Sequence, residues 1–177
     1  MFKAPPRLTA DDDALQVLGT VLSGGRSSRF FQQIVRAQQL APNVSAGRDG
    51  VVGPGLFRVV GTVVPGKTPQ ALEEAIYAEI DKVKHGTIDE WEIEKARNNA
   101  KRAVVSGLTS SLQRAIQLAD FAANFGDTNL INQRVDRIAR VTAADVQRVA
   151  RTYLVAENRT VVMTMPKGPP GAKEVRK

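Results

Sequence analysis

The sequence predicts an α+β domain in which an antiparallel sheet carries its helices on one face. Three observations lead there. A hairpin pattern joins residues 43–48 to residues 56–64, a long run of amphipathic segments follows without a strand between them, and a β-branched stretch stands near the end at residues 159–165. Strands and helices are thus segregated along the chain, not alternated as in a parallel α/β sheet.

Phe2 to Ala4 reads as a strand cut short, because Pro5 and Pro6 then hold the backbone extended. Asp11, Asp12 and Asp13 precede the first helix, where carboxylates complement the positive end of the dipole. Three consecutive side chains diverge around a helix axis, so capping and solubility suit them better than metal binding. The apolar run through Leu15, Val17, Leu18, Val21 and Leu22 stops at Gly24-Gly25. Ser27 is a candidate N-cap for a second helix, with Phe30, Phe31, Ile34, Val35 and Leu40 recurring at helical spacing. Pro42 cannot continue that helix, and Asn43 opens the first hairpin strand.

The loop from Asp49 to Gly55 has hairpin-turn chemistry, and Leu56 to Val64 is β-branched and bounded by Pro65-Gly66. Thr68-Pro69 starts a helix with Leu72, Ile76, Ile80 and Val83 on one face, ending at Lys84-His85-Gly86. Thr87-x-x-Glu90 predicts a capping box for the next helix, whose stripe is Ile93, Ala96, Ala100, Val104 and Leu108. Leu112 to Phe125 is apolar on most sides and predicts a largely buried helix. Gly126-Asp127 breaks it, Leu130 to Ile138 forms a short helix, and Thr142-x-x-Asp145 caps the last. Residues 159–165 are expected as a closing strand, residues 1–166 as one domain, and residues 167–177 as a flexible polar tail.

Composition bounds the chemistry. With 177 residues and 42% hydrophobic content the chain is long enough for one proper core, and no stretch approaches the ~18 apolar residues of a membrane span. A formal charge of +7 favours anionic partners. Arg134, Arg137, Arg140, Arg148 and Arg151 form a basic segment, yet aromatics are only 5%, which leaves few platforms for stacking bases and weighs against a nucleic-acid module. The absence of cysteine excludes disulfides and thiolate zinc sites, and both cytoplasm and periplasm accommodate such a chain.

Gly61 to Thr68 nominally matches a phosphate-binding loop, but its middle is Thr62-Val63-Val64-Pro65, β-branched and ending in a residue with no N–H. Strand, turn and helix start is the better reading. His85 is the single histidine, so a two-histidine zinc site cannot be built, and a helix end gives it a dipole role. Ser27 and Ser28 have no histidine base nearby in sequence, and turn and cap are their expected roles.

Four segments together carry a family resemblance: Asp13 to Leu18, Leu22-Ser23-Gly24-Gly25-Arg26-Ser27-Ser28-Arg29-Phe30, Val35 to Ala41, and Thr142 to Gln147. Over about Phe2 to Pro166 the chain resembles the C-terminal, non-catalytic domain of the insulinase and pitrilysin-like zinc metallopeptidases, the group that includes mitochondrial processing peptidase. The resemblance implies a processing-peptidase-like fold, no catalytic residue and no metal ligand in this chain, and zinc in a separate catalytic domain of the parent or of a partner, on an inverted His-x-x-Glu-His motif that this chain lacks. It implies a zinc-bearing peptidase domain or subunit as partner, in a homo- or heterodimer, with peptides as substrates. It also matches Arg36 to an arginine that contacts the substrate backbone, whereas the accompanying tyrosine falls on Pro42 or Asn43. A purely structural assembly subunit of the same family is the alternative.

Overall fold

The computed structural model describes residues 1–165, and the expected tail at 167–177 lies outside them. Three antiparallel strands, β1 (Phe2–Ala4), β2 (Val44–Arg48) and β3 (Gly55–Gly61), form a sheet in the order β1-β3-β2. The hairpin register pairs Val44 with Gly61 and Arg48 with Phe57, and β1 pairs Phe2 with Phe57. Because side chains alternate across a strand, this register turns Phe2, Ala4, Val44 and Phe57 into the core while Arg58 and Val60 face outward.

Helix α1 (Ala10–Ser23) is the hub. It packs on β2 and also meets α3 (Glu90–Gly107), α5 (Leu130–Ala139) and α6 (Ala143–Tyr153). Leu15, Val17, Leu18 and Leu22 are accordingly fully buried. At its C-terminal end the Ser23 hydroxyl accepts the Ala46 N–H at 2.9 Å and lies 3.0 Å from the Ala46 carbonyl, so it satisfies the outward backbone groups of the edge strand. Helix α2 (Pro69–His85) packs on α6, and α4 (Ser111–Phe125) on α5.

Most start signals act as the sequence implies. The Thr68 hydroxyl accepts the Ala71 N–H with Pro69 in the first turn, Ser110 accepts from Gln113, and Thr142 and Asp145 form a reciprocal capping box. Two boundaries differ. The cap of α1 is Thr9, which accepts the Asp12 N–H at 3.1 Å. The box of α3 is Asp89 with Glu92, not Thr87 with Glu90. Ile88 and Ile93 stand where a hydrophobic staple would place them and are both buried in the common core, which fixes the entry of the chain one pair later.

Three larger departures stand out, and the last two depend on cover from distant elements. The second helix is α-helical only at Arg29 and Phe30, and then widens into a seven-residue π-helix over Phe31–Ala37. Helix α4 is mostly exposed: only Phe121 is buried, while Leu112 and Ile116 are 67% and 52% exposed. An apolar surface fixes which residues want cover, but α5 alone packs closely on α4 here. The expected closing strand reduces to one bridge, Arg159 to Phe2, beside paired bonds of 2.9 Å between Met1 and Thr160. A strand needs a partner of equal length, and β1 offers three residues. Val161, Val162, Met163 and Met165 therefore remain exposed.

Candidate functional site

The turn after α1 sets the geometry. An added Cβ at Gly24 would lie 2.4 Å from the Thr20 carbonyl oxygen, and Gly25 has φ +92, a conformation that side chains resist. The chain therefore reverses tightly and launches Arg26 to Arg29 across the end of α3. Arg29 donates through Nε and Nη2 to both oxygens of Glu92, at 2.9 and 2.7 Å, and a further bond from Nη2 reaches the Thr87 carbonyl at 2.9 Å. Burial pushes the Glu92 carboxyl upward, but the Arg29 bonds and charge outweigh it and hold the group below its ordinary value. Ser28 is buried, and its hydroxyl has no partner among the described residues.

Beyond this clamp the π-helix carries Arg36. Its wide turns close through Gln38 N–H to the Gln33 carbonyl and Leu40 N–H to the Ile34 carbonyl, and Gln39 ends the segment in the left-handed region at φ 51. Phe31 and Arg36 are five residues apart, which in an α-helix would set them about 140° apart around the axis. Winding that closes five residues apart instead returns them to one face, and both line a surface recess of roughly 490 Å³ with Arg26, Ser27 and Gln32. Arg36 is exposed, donating only to the Gln32 side chain at 3.4 Å, and no carboxylate pairs with it among the described residues. Pro42 and Asn43 are exposed just beyond the π-helix.

A second cleft, of roughly 500 Å³, opens between α1, the β2–β3 loop and α5. Here the three aspartates diverge as expected, each to a different arginine. Asp11 pairs with Arg148 and accepts the Tyr153 hydroxyl at 2.7 Å, Asp12 pairs with Arg48, and Asp13 pairs with Arg137. Burial raises the carboxyls of Asp12 and Asp13, and burial followed by the Asp11 bond pushes the Tyr153 phenol up to about 12. Arg7 closes the rim with two bonds to Asp120, its guanidinium 5.3 Å from the Phe125 ring centroid. Arg7, Arg48, Arg137 and Arg148 are thus each matched by an aspartate. In the rest of the predicted basic segment Arg151 donates to the Lys84 carbonyl and Arg134 to the neutral Gln117 side chain, while Arg140 is exposed.

Zinc does not fit this chain's own donors. His85 is exposed in the last turn of α2, and among the described residues no three histidine, aspartate or glutamate side chains converge on a point. Sequence reasoning singled out Arg36 through resemblance alone. It missed Arg26 and Phe31 as its neighbours, because the winding that brings them together leaves no signature in apolar spacing.

Comparison with known proteins identifies the family of the chain. The family described as the Peptidase M16 inactive domain matches residues 1–100. An uncharacterized zinc protease of Streptomyces coelicolor is 34% identical over 155 residues, covering 84% of this chain and 33% of that protein. One from Mycobacterium tuberculosis is 30% identical over 161 residues, covering 90% and 35% respectively. The chain thus spans about a third of the length of the curated relatives it matches. Among solved structures, the inactive peptidase domain from Bordetella parapertussis superposes with a TM-score of 0.85 at 25% identity, covering 96% of this chain and 91% of that one. With more than half its length matched and its α+β architecture shared over 96% of its length, the chain belongs to the M16 peptidase family and carries that family's inactive domain.

Proposed function

We propose that this domain forms one wall of a peptide-binding chamber and supports proteolysis carried out by a separate zinc-bearing domain or subunit. Arg36 carries the reading. It stands exposed on a π-helix, a rare winding that recurs at functional sites, with no carboxylate paired to it among the described residues and a recess beside it. A guanidinium so placed offers several donors to a peptide carbonyl or to the oxyanion that forms as the carbonyl is attacked. Zinc would be held by that separate domain or subunit, in keeping with the relatives named as zinc proteases.

The test uses the chain reassembled with its zinc-bearing partner. Arg36→Ala is expected to lower turnover by ~10²–10³-fold, the typical loss for one preorganised donor, with the melting temperature unchanged. Unchanged turnover would favour the second reading, a purely structural assembly subunit. Pro42 and Asn43 support that alternative, because neither supplies the phenol expected to work beside Arg36. A nucleic-acid role is disfavoured by the internal bonding of Arg137 and Arg148, and any DNA binding should fall steeply between about 50 and 200 mM salt.

A further inference from the structure

We infer that the recess between Arg26 and Arg36 is a subsite for an acidic side chain of a bound peptide, aspartate or glutamate. The inference rests on the peptide-wall reading above and adds to it a substrate class.

The recess is built, not incidental to the surface. Phe31 lines it, and the Arg26 guanidinium lies over that ring at 5.7 Å from the centroid. Stacking of this kind leaves the edge donors of the guanidinium free for a planar acceptor. Gln32 braces both arginines at once. Its Nε2 donates to the Arg26 carbonyl at 2.5 Å, and its Oε1 accepts from Arg36 at 3.4 Å. The rim bears a third cation, since Lys95 donates to the Ser27 hydroxyl at 2.6 Å. Glu92, three residues before Lys95 on α3, has both oxygens committed to Arg29.

Charge accounting then decides what the recess takes. Arg26, Arg36 and Lys95 form no ion pair among the described residues, whereas the other cleft pairs Arg7, Arg48 and Arg137 each with an aspartate. A recess with surplus positive charge, an apolar wall and forked donors fits a carboxylate on a short apolar stem. A neutral amide of the same shape would lose the charge-assisted part of the binding. The π-winding is what makes the site, because α-helical winding would carry Phe31 and Arg36 to different faces.

The test measures fluorescence anisotropy of the full 177-residue chain with two labelled peptides that differ only by glutamate or glutamine at one central position. Tighter binding of the glutamate peptide by about tenfold is expected. That preference should fall below about twofold in both Arg26→Gln and Arg36→Gln, while Arg140→Gln, an exposed arginine at the far end of α5, retains it. Melting curves accompany each variant to confirm folding. Equal binding of both peptides overturns the subsite while leaving the wall reading intact. A glutamate preference that survives both substitutions places the contact elsewhere and also overturns it. Failure of both peptides to bind up to roughly 1 mM overturns the subsite and the wall reading together.

Discussion

Arg29 and Glu92 join the turn after α1 to the start of α3 through two parallel bonds of 2.9 and 2.7 Å, and both side chains are nearly buried, at 16% and 11% exposure. Glu92 also accepts the Asp89 N–H at 3.2 Å, so one carboxylate serves clamp and cap together. Glu92→Gln keeps the shape and removes the charge, and is expected to cost about 1–3 kcal/mol at neutral pH. Because the folded carboxyl is held below its ordinary value of 4.5, its contribution is present above that pH and is lost as pH falls through the folded value. The melting-temperature gap between wild type and Glu92→Gln should therefore shrink in acid. A gap that stays constant would mean the pair contributes through packing alone.

How far the sequence foretold all this depends on whether a feature is local. The hairpin, the Thr68-Pro69 start and the Thr142-Asp145 box are local: neighbouring residues supply both partners, and each forms where its signal lies. The burial of α4 and the closing strand depend on distant cover, which residues 111–125 and 159–165 cannot themselves encode. The π-helix sits between these cases. Apolar residues at 30, 31, 34 and 40 satisfy an α-helical reading, yet only Phe30, Ile34 and Leu40 are buried, and Phe31 turns to the recess. The family resemblance points to Arg36 alone and gives no signal for the residues around it, because they follow from winding and not from residue type.

The Gly24-Gly25 turn should tolerate substitution poorly. Gly25→Ala forces a side chain into φ +92 and is expected to cost about 1–3 kcal/mol. Gly47→Ala is the control, since a Cβ there meets nothing within 4 Å. Urea denaturation compares them, and equal midpoints would show that the turn relaxes without strain.

Helix α4 offers a contrast within one element. Leu112→Gln and Ile116→Gln alter exposed positions and should change stability by no more than about 0.5 kcal/mol, whereas Phe121→Ala removes a buried ring and should cost about 3–5 kcal/mol. Thermal melts of the three variants decide this. A large loss at Leu112 or Ile116 would show that the isolated chain covers that face, for instance by self-association, and dilution would then lower the melting temperature.

The last prediction restores a missing group. The family resemblance implies a tyrosine where this chain has Pro42 or Asn43, six or seven residues after Arg36, and Pro42 is exposed beyond the end of the π-helix. Proline supplies no N–H, so replacing it removes no backbone bond, and a new N–H at an exposed position can meet water. A phenol there would add a neutral donor beside the guanidinium, able to share a developing oxyanion. In the chain reassembled with the proposed zinc-bearing domain, Pro42→Tyr should raise kcat/KM by about tenfold, chiefly through kcat, because a donor aimed at the transition state adds little to ground-state binding. The gain should vanish in the double variant with Arg36→Ala, since neighbouring groups that act on one atom are not additive. A gain that persists without Arg36 would separate the two positions, and no gain despite an unchanged melting temperature would place position 42 away from the substrate.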